Sequence, residues 1–114
     1  MNDINDAREA YLALRESTTS VQLATLGANH SPEASYAPCV WSKGDCYLYL
    51  SGLSSHCGNL LKNPQISLLL LDDATSTVNP FARVRASLQG SVQIIDRECS
   101  EFASLMRIFH RRFG

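Results

Sequence analysis

Residues 51–73, SGLSSHCGNLLKNPQISLLLLDD, followed shortly by residues 79–90, NPFARVRASLQG, place a polar helix start, an apolar strand and a doubly basic strand in one short span. Ser54, Ser55 and His56 open a helix, and the unpaired backbone N–H groups of its first turn make an anion site. Pro64 disfavours helical geometry at Asn63, so the helix is only two or three turns long. Ile66 to Leu71 is apolar on both faces, the pattern of a central strand covered on both sides or closed inside a barrel. Asp72 to Asn79 is small, acidic and threonine-rich, a loop. Phe81 to Ile95 predicts a long strand that bends or bulges at Gly90. Within it Arg83 and Arg85 leave one face about 7 Å apart along the strand. Two anion-binding devices so close in sequence point to a phosphate or carboxylate ligand.

Working outward, Ile4, Ala7, Tyr11 and Leu14 recur at helical steps from Asp3 to Glu16, with Asp3 placed to cap. Val21 to Leu26 and Glu33 to Trp41 read as strands joined by a turn over Gly27, Ala28, Asn29, His30 and Ser31. Lys43, Gly44 and Asp45 form a second turn into an alternating strand from Cys46 to Leu50, completing an antiparallel meander. Asp96 caps a last helix in which Cys99, Phe102, Ala103, Met106, Phe109 and Phe113 keep the helical period, while Arg107, Arg111 and Arg112 suit its negative end. The expected fold is α+β: a barrel-like antiparallel sheet of five to six strands with flanking helices. It forms a single domain over 1–114, with a helix at about 3–16, the barrel at about 19–95 and a C-terminal helix at about 97–113.

At 114 residues, 45% hydrophobic and 18% charged, the chain has the composition of a folded globular domain. The formal net charge of −1 offers no broad basic field, which argues against a nucleic-acid partner. No apolar run reaches membrane-spanning length and the polar N-terminal segment does not resemble a signal peptide, so the expected location is cytoplasmic. Cys39, Cys46, Cys57 and Cys99 lack metal or redox spacing and read as small apolar fillers, with Cys57 placed where a helix start can lower a thiol pKa.

His56 is either a polar residue at a helix start or a ligand contact, and its neighbours Ser54, Ser55 and Asn59 add hydroxyl and amide donors around the same turn. Arg83 and Arg85 either solubilise a strand face or bind the anion bidentately. Ser35 and Tyr36 lie mid-strand on opposite faces. No metal site is expected, because His110, the nearest candidate, sits among arginines at a helix end without other ligands. No catalytic triad, carboxylate pair or glycine-rich phosphate loop can be assembled, and catalytic residues are not assigned.

The segments LATLG (23–27), PEASYAP (32–38) and the two stretches quoted above together resemble the heme-iron-utilisation branch of the pyridoxamine-phosphate-oxidase-like, FMN-binding split-barrel family. The resemblance implies a split barrel that forms a homodimer with two sites at its interface. It also implies an anionic cofactor, FMN or heme, and, for an enzyme, an FMN-dependent oxidoreductase or a heme-degrading oxygenase. In the flavin-binding family the phosphate is held from the second strand and from the helix after the third, here Ser35-Tyr36 and Ser55-His56-Cys57. Ser55 keeps the family's serine, whereas His56 and Cys57 stand in place of an Arg-Lys pair, as in the heme-utilisation branch. The cofactor-binding set so implied is Ser35, Tyr36, Ser54, Ser55, His56, Asn59, Arg83 and Arg85. That branch carries its axial histidine beyond the last helix, and no position here is matched to it.

Overall fold

The computed structural model describes residues 3–73 and 79–114. In chain order the elements are α1 (Asp3–Ser17), β1 (Ser20–Leu26), β2 (Pro32–Ser42), β3 (Asp45–Leu48), α2 (Ser55–Lys62), β4 (Gln65–Leu71), β5 (Arg85–Ser91) and α3 (Ser100–Phe113). The strands form one antiparallel sheet in the order β3-β2-β1-β4-β5, curled into a half-barrel. The meander of the first three strands is as expected. β4 lies beside β1 because α2 carries the chain back across the sheet.

Register decides which residues share the core. Leu23 pairs with Ser35 and with Leu68, and Leu68 pairs with Leu88, so one row crosses four strands on one face. Val21, Leu23, Ala37, Cys39 and Leu70 from that face join Leu14 of α1 in the core, with Trp41, Cys46, Leu48, Ile66 and Leu88 packed around them. The opposite face is covered over β2 and β3 by α3: Val40 is fully buried there, Tyr47 donates to Glu101 Oε1 at 3.2 Å, and Tyr49 meets Phe109 with ring centroids 6.2 Å apart. Elsewhere that face is open, and Gln22, Tyr36, Arg85 and Ser87 stand exposed on it.

The turns follow from residues that tolerate positive φ. Lys43 (φ 53°) and Gly44 (φ 86°) make the two-residue β2–β3 turn, whose left-handed pair matches the twist of the flanking strands. Asn29 (φ 58°) and His30 (φ 57°) do the same work between β1 and β2, where Gly27 N–H donates to Ser31 O at 2.8 Å.

Four expectations are corrected. The last strand is shorter than Phe81 to Ile95, because Pro80–Ala82 forms a single tight turn, with Asn79 Oδ1 accepting from Phe81 N–H at 3.0 Å. Arg83 therefore precedes β5 and does not share a strand with Arg85. Gly90 carries no bulge: the pairs Ile66–Gly90 and Gln65–Ser91 continue the register to the end of the strand. Asp96 does not cap α3; its carboxylate accepts from Glu98 N–H at 2.9 Å in a turn of its own, and the helix starts at Ser100. Cys99 is exposed and so is no core filler. Most of the loop expected over Asp72 to Asn79 lies outside the described residues. No helix among the described residues is long and apolar enough to cross a membrane.

Candidate functional site

The site is built where the start of α2 meets the edge of the core face. Ser54 caps the helix with extended backbone: its hydroxyl donates to Ser51 O at 2.6 Å and accepts from Cys57 N–H at 3.4 Å. Its carbonyl takes the Gly58 N–H at 3.2 Å, so the backbone N–H groups of Ser55 and His56 are the ones left at the helix end. The cap places His56 in the first turn, half-buried, with Nδ1 2.8 Å from the hydroxyl of Ser35 on β2. The other ring nitrogen has no protein partner among the described residues. A Ser hydroxyl can donate to neutral Nδ1 or accept from Nδ1–H, so it holds the ring in either protonation state.

One turn on, the Asn59 amide spends both hydrogens on the sheet, donating to Thr25 Oγ1 at 3.0 Å and Glu33 Oε1 at 2.9 Å. Thr25 is buried, so this tether satisfies a hydroxyl inside the core and sets the depth of α2. Asn59 thus positions the helix, and its carbonyl oxygen is what remains for a ligand. Ser55 is exposed beside His56.

The remaining candidates lie elsewhere. Tyr36 is 66% exposed on the open face, turned away from its neighbour Ser35. Arg85 is on that same open face, on β5. From Ser35 it is three strands across and three residues along, about 17 Å in the plane of the sheet. Arg83 donates from Nε to Asp72 O at 2.6 Å, and Arg85 donates to Arg83 O at 3.0 Å. Both arginines border a groove of about 420 Å³ with Ala7, Ala10, Tyr11 and Leu14 of α1. The two anion-binding devices of the sequence therefore do not converge within one chain: Ser35, Ser54, Ser55, His56 and Asn59 form one cluster, and Arg83 and Arg85 belong to another.

Sequence reasoning missed two arrangements. Thr25 and Glu33 complete the α2 tether, and the only sequence signal for them is their position on the core-facing side of β1 and β2. Cys39 and Cys46 stand diagonally on the core-facing side of the β2–β3 hairpin. The neighbouring Cys46 pushes the Cys39 thiol down, whereas Cys39 and burial push the Cys46 thiol up. Among the described residues no group of three or more His, Cys, Asp or Glu could hold a metal ion.

A curled five-stranded antiparallel sheet with a helix capped beside its second strand defines a split-barrel protein. The chain belongs to the pyridoxamine 5'-phosphate oxidase family, whose model matches residues 7–114. Within that family it is homologous to the heme oxygenase HutZ of Vibrio cholerae, with 30% identity over 100 residues, or 88% of this chain and 57% of that protein. The chain thus spans little more than half the length of this curated relative. The crystal structure of HutZ, the heme storage protein of Vibrio cholerae, superposes with a TM-score of 0.87 at 28% identity, covering 95% of this chain and 76% of the other. ChuZ of Campylobacter jejuni gives 0.86 at 28% identity over 96% of this chain and 45% of its own. A heme binding protein from Mycobacterium smegmatis gives 0.78 at 27% identity over 89% and 40%.

Proposed function

We propose that this protein is a homodimeric split barrel that binds heme, or alternatively a flavin, and serves heme-iron utilisation in the cytoplasm. The observation that carries the reading is the likeness to HutZ over nearly the whole chain, coupled with an imidazole where the flavin-binding family would place a basic pair. The donor set at α2 consists of the Ser35 and Ser55 hydroxyls, the His56 ring and two backbone N–H groups. It suits a singly charged carboxylate better than a phosphate dianion, since Arg83 and Arg85 of the same chain stand three strands away. Heme presents two such carboxylates, and when bound it supplies the iron and its redox chemistry. Ser35, Ser55 and His56 hold a carboxylate, and Ser54 and Asn59 hold the helix that presents them. Four free cysteines fit a reducing compartment.

The family match favours the second reading, an FMN-dependent oxidoreductase of the pyridoxamine-phosphate-oxidase type. Titrating the purified protein with hemin and with FMN, followed by visible spectra, separates the two. A shifted Soret band that weakens in His56→Ala supports heme. Flavin quenching with FMN-dependent NAD(P)H oxidation supports the second. No response to either ligand overturns both and leaves a non-catalytic dimerisation domain.

A further inference from the structure

Glu33 stands beside the α2 cluster with a charge that nothing there balances. It pairs with Thr25 of β1, and Ser35 pairs with Leu23, so Glu33 and Ser35 leave the same side of β2 about 7 Å apart. On α2, His56 and Asn59 are three residues apart and face the same way. The two spacings match: His56 Nδ1 meets the Ser35 hydroxyl at 2.8 Å, and Asn59 donates to Glu33 Oε1 at 2.9 Å. The start of α2 therefore lies against Ser35, and Glu33 stands one helical turn behind it.

The Asn59 amide and the bare backbone of Gly27 fix where this carboxylate sits. Glu33 is exposed, and among the described residues no lysine, arginine or histidine pairs with it. The tether to Asn59 does not need the charge, because a neutral glutamine would offer the same oxygen to the same N–H. What the charge does act on is whatever occupies the donors of Ser35, Ser55 and His56. Across about 7 Å of largely solvated space, one like charge weakens binding about threefold for each negative charge on the ligand. A dianion feels the repulsion twice, for a loss of about tenfold.

We infer that Glu33 is the charge filter of the α2 site, a specificity-determining residue that disfavours dianionic headgroups such as a phosphomonoester and tolerates a single carboxylate. The inference rests on the carboxylate-binding reading of that site given above. It also gives the loss of a basic pair at His56-Cys57 a counterpart on the facing strand. A phosphate site gains from added positive charge, and β2 supplies a negative one.

The test compares two probes that share an apolar body and differ in charge, benzoate and phenyl phosphate, at about pH 8, above the second phosphate pKa of about 6. Binding to the full chain and to Glu33→Gln is followed by the NMR ring signals of His56. These are identified among the three histidines by their loss in His56→Ala. At low salt, Glu33→Gln is expected to raise affinity about threefold for benzoate and about tenfold for phenyl phosphate. The difference between the probes should close at about 1 M salt, where the screening length falls to about 3 Å. Glu33→Ala, which also removes the tether, should show the same shift in the ratio of the two affinities. An equal change for both probes, or no change, overturns the proposal. So does failure of both probes to move the His56 signals in either protein. Hemin titration of the same proteins keeps the two readings apart. A shifted Soret band without the charge-dependent ratio removes the role of Glu33 and leaves the heme reading. The ratio without a Soret shift does the reverse.

Discussion

At Gly27 a single methyl group is enough to disturb the seat of α2. A Cβ there would collide with the Glu33 carboxylate, which lies against the glycine and accepts from Asn59. The carboxylate is the far end of a flexible side chain, so it will swing away and give up that hydrogen bond instead of distorting the backbone. Gly27→Ala is expected to cost about 0.5–1.5 kcal/mol in urea unfolding, the usual worth of one such bond. In a Glu33→Ala background the same substitution should cost close to nothing, and a cost that persists there would place the strain in the backbone. Asn59→Ala goes deeper, because it leaves the buried Thr25 hydroxyl without its donor, and a loss of about 1–3 kcal/mol is expected by the same measurement. These residues also mark where the sequence stops being informative. Asn59 is visible as a donor one turn from His56, but the groups that consume its hydrogens lie 34 and 26 residues away, and no local pattern specifies that pairing. Ser35 and His56 were both legible as candidates; that they touch was not.

Among the elements, α3 depends on two polar contacts as well as its apolar stripe. Arg112 donates to Glu16 O at 3.4 Å and Thr18 O at 3.0 Å, capping the end of α1 from the far end of the chain. Removing it in Arg112→Ala leaves helix-end carbonyls to water and should cost about 1 kcal/mol, with faster amide exchange confined to the last turn of α1. Tyr47, donating to Glu101, has its phenol pushed above the usual range by partial burial and then by that carboxylate. A raised phenol binds its proton more tightly in the folded state, so its contribution is complete below about pH 10 and is lost as pH rises beyond it. Wild-type stability is therefore expected to fall more steeply above pH 10 than that of Tyr47→Phe, and parallel profiles would assign the loss to other groups. Elements with a clean period were legible: the span of α1, the meander and the Pro64 stop of α2 all appear near the expected residues, although of the α1 stripe only Leu14 is buried and Ile4 and Ala7 are exposed. β5 and the start of α3 were not, because Asn79-Pro80 and Asp96 each build a local turn whose side-chain hydrogen bond outcompetes the strand or helix beside it.

The whole molecule is too open for its size. A compact chain of this length has a radius of gyration of about 13 Å, and a monomer of this mass exposes about 6,200 Å². The observed values are 15.5 Å and 8331 Å². The excess, about 2,100 Å² against that scaling, is of the order each protomer buries in a large permanent interface. Part of it falls on the open sheet face, where Tyr36 is 66% exposed and shares its row with Gln22, Leu69 and Ser87. A second copy on this face would give Tyr36 a cover, and would bring Arg85 of one protomer toward elements of the other in a way a single chain does not allow. The expected result is therefore a dimer by sedimentation equilibrium. Leu69→Lys, which puts a charge in the middle of that face without touching the core row, should shift the protein to monomer while its far-ultraviolet spectrum is kept. If the α2 cluster works alone, hemin affinity in the monomeric variant will match wild type; if the site needs both protomers, affinity will fall with the dimer and recover at protein concentrations that restore it.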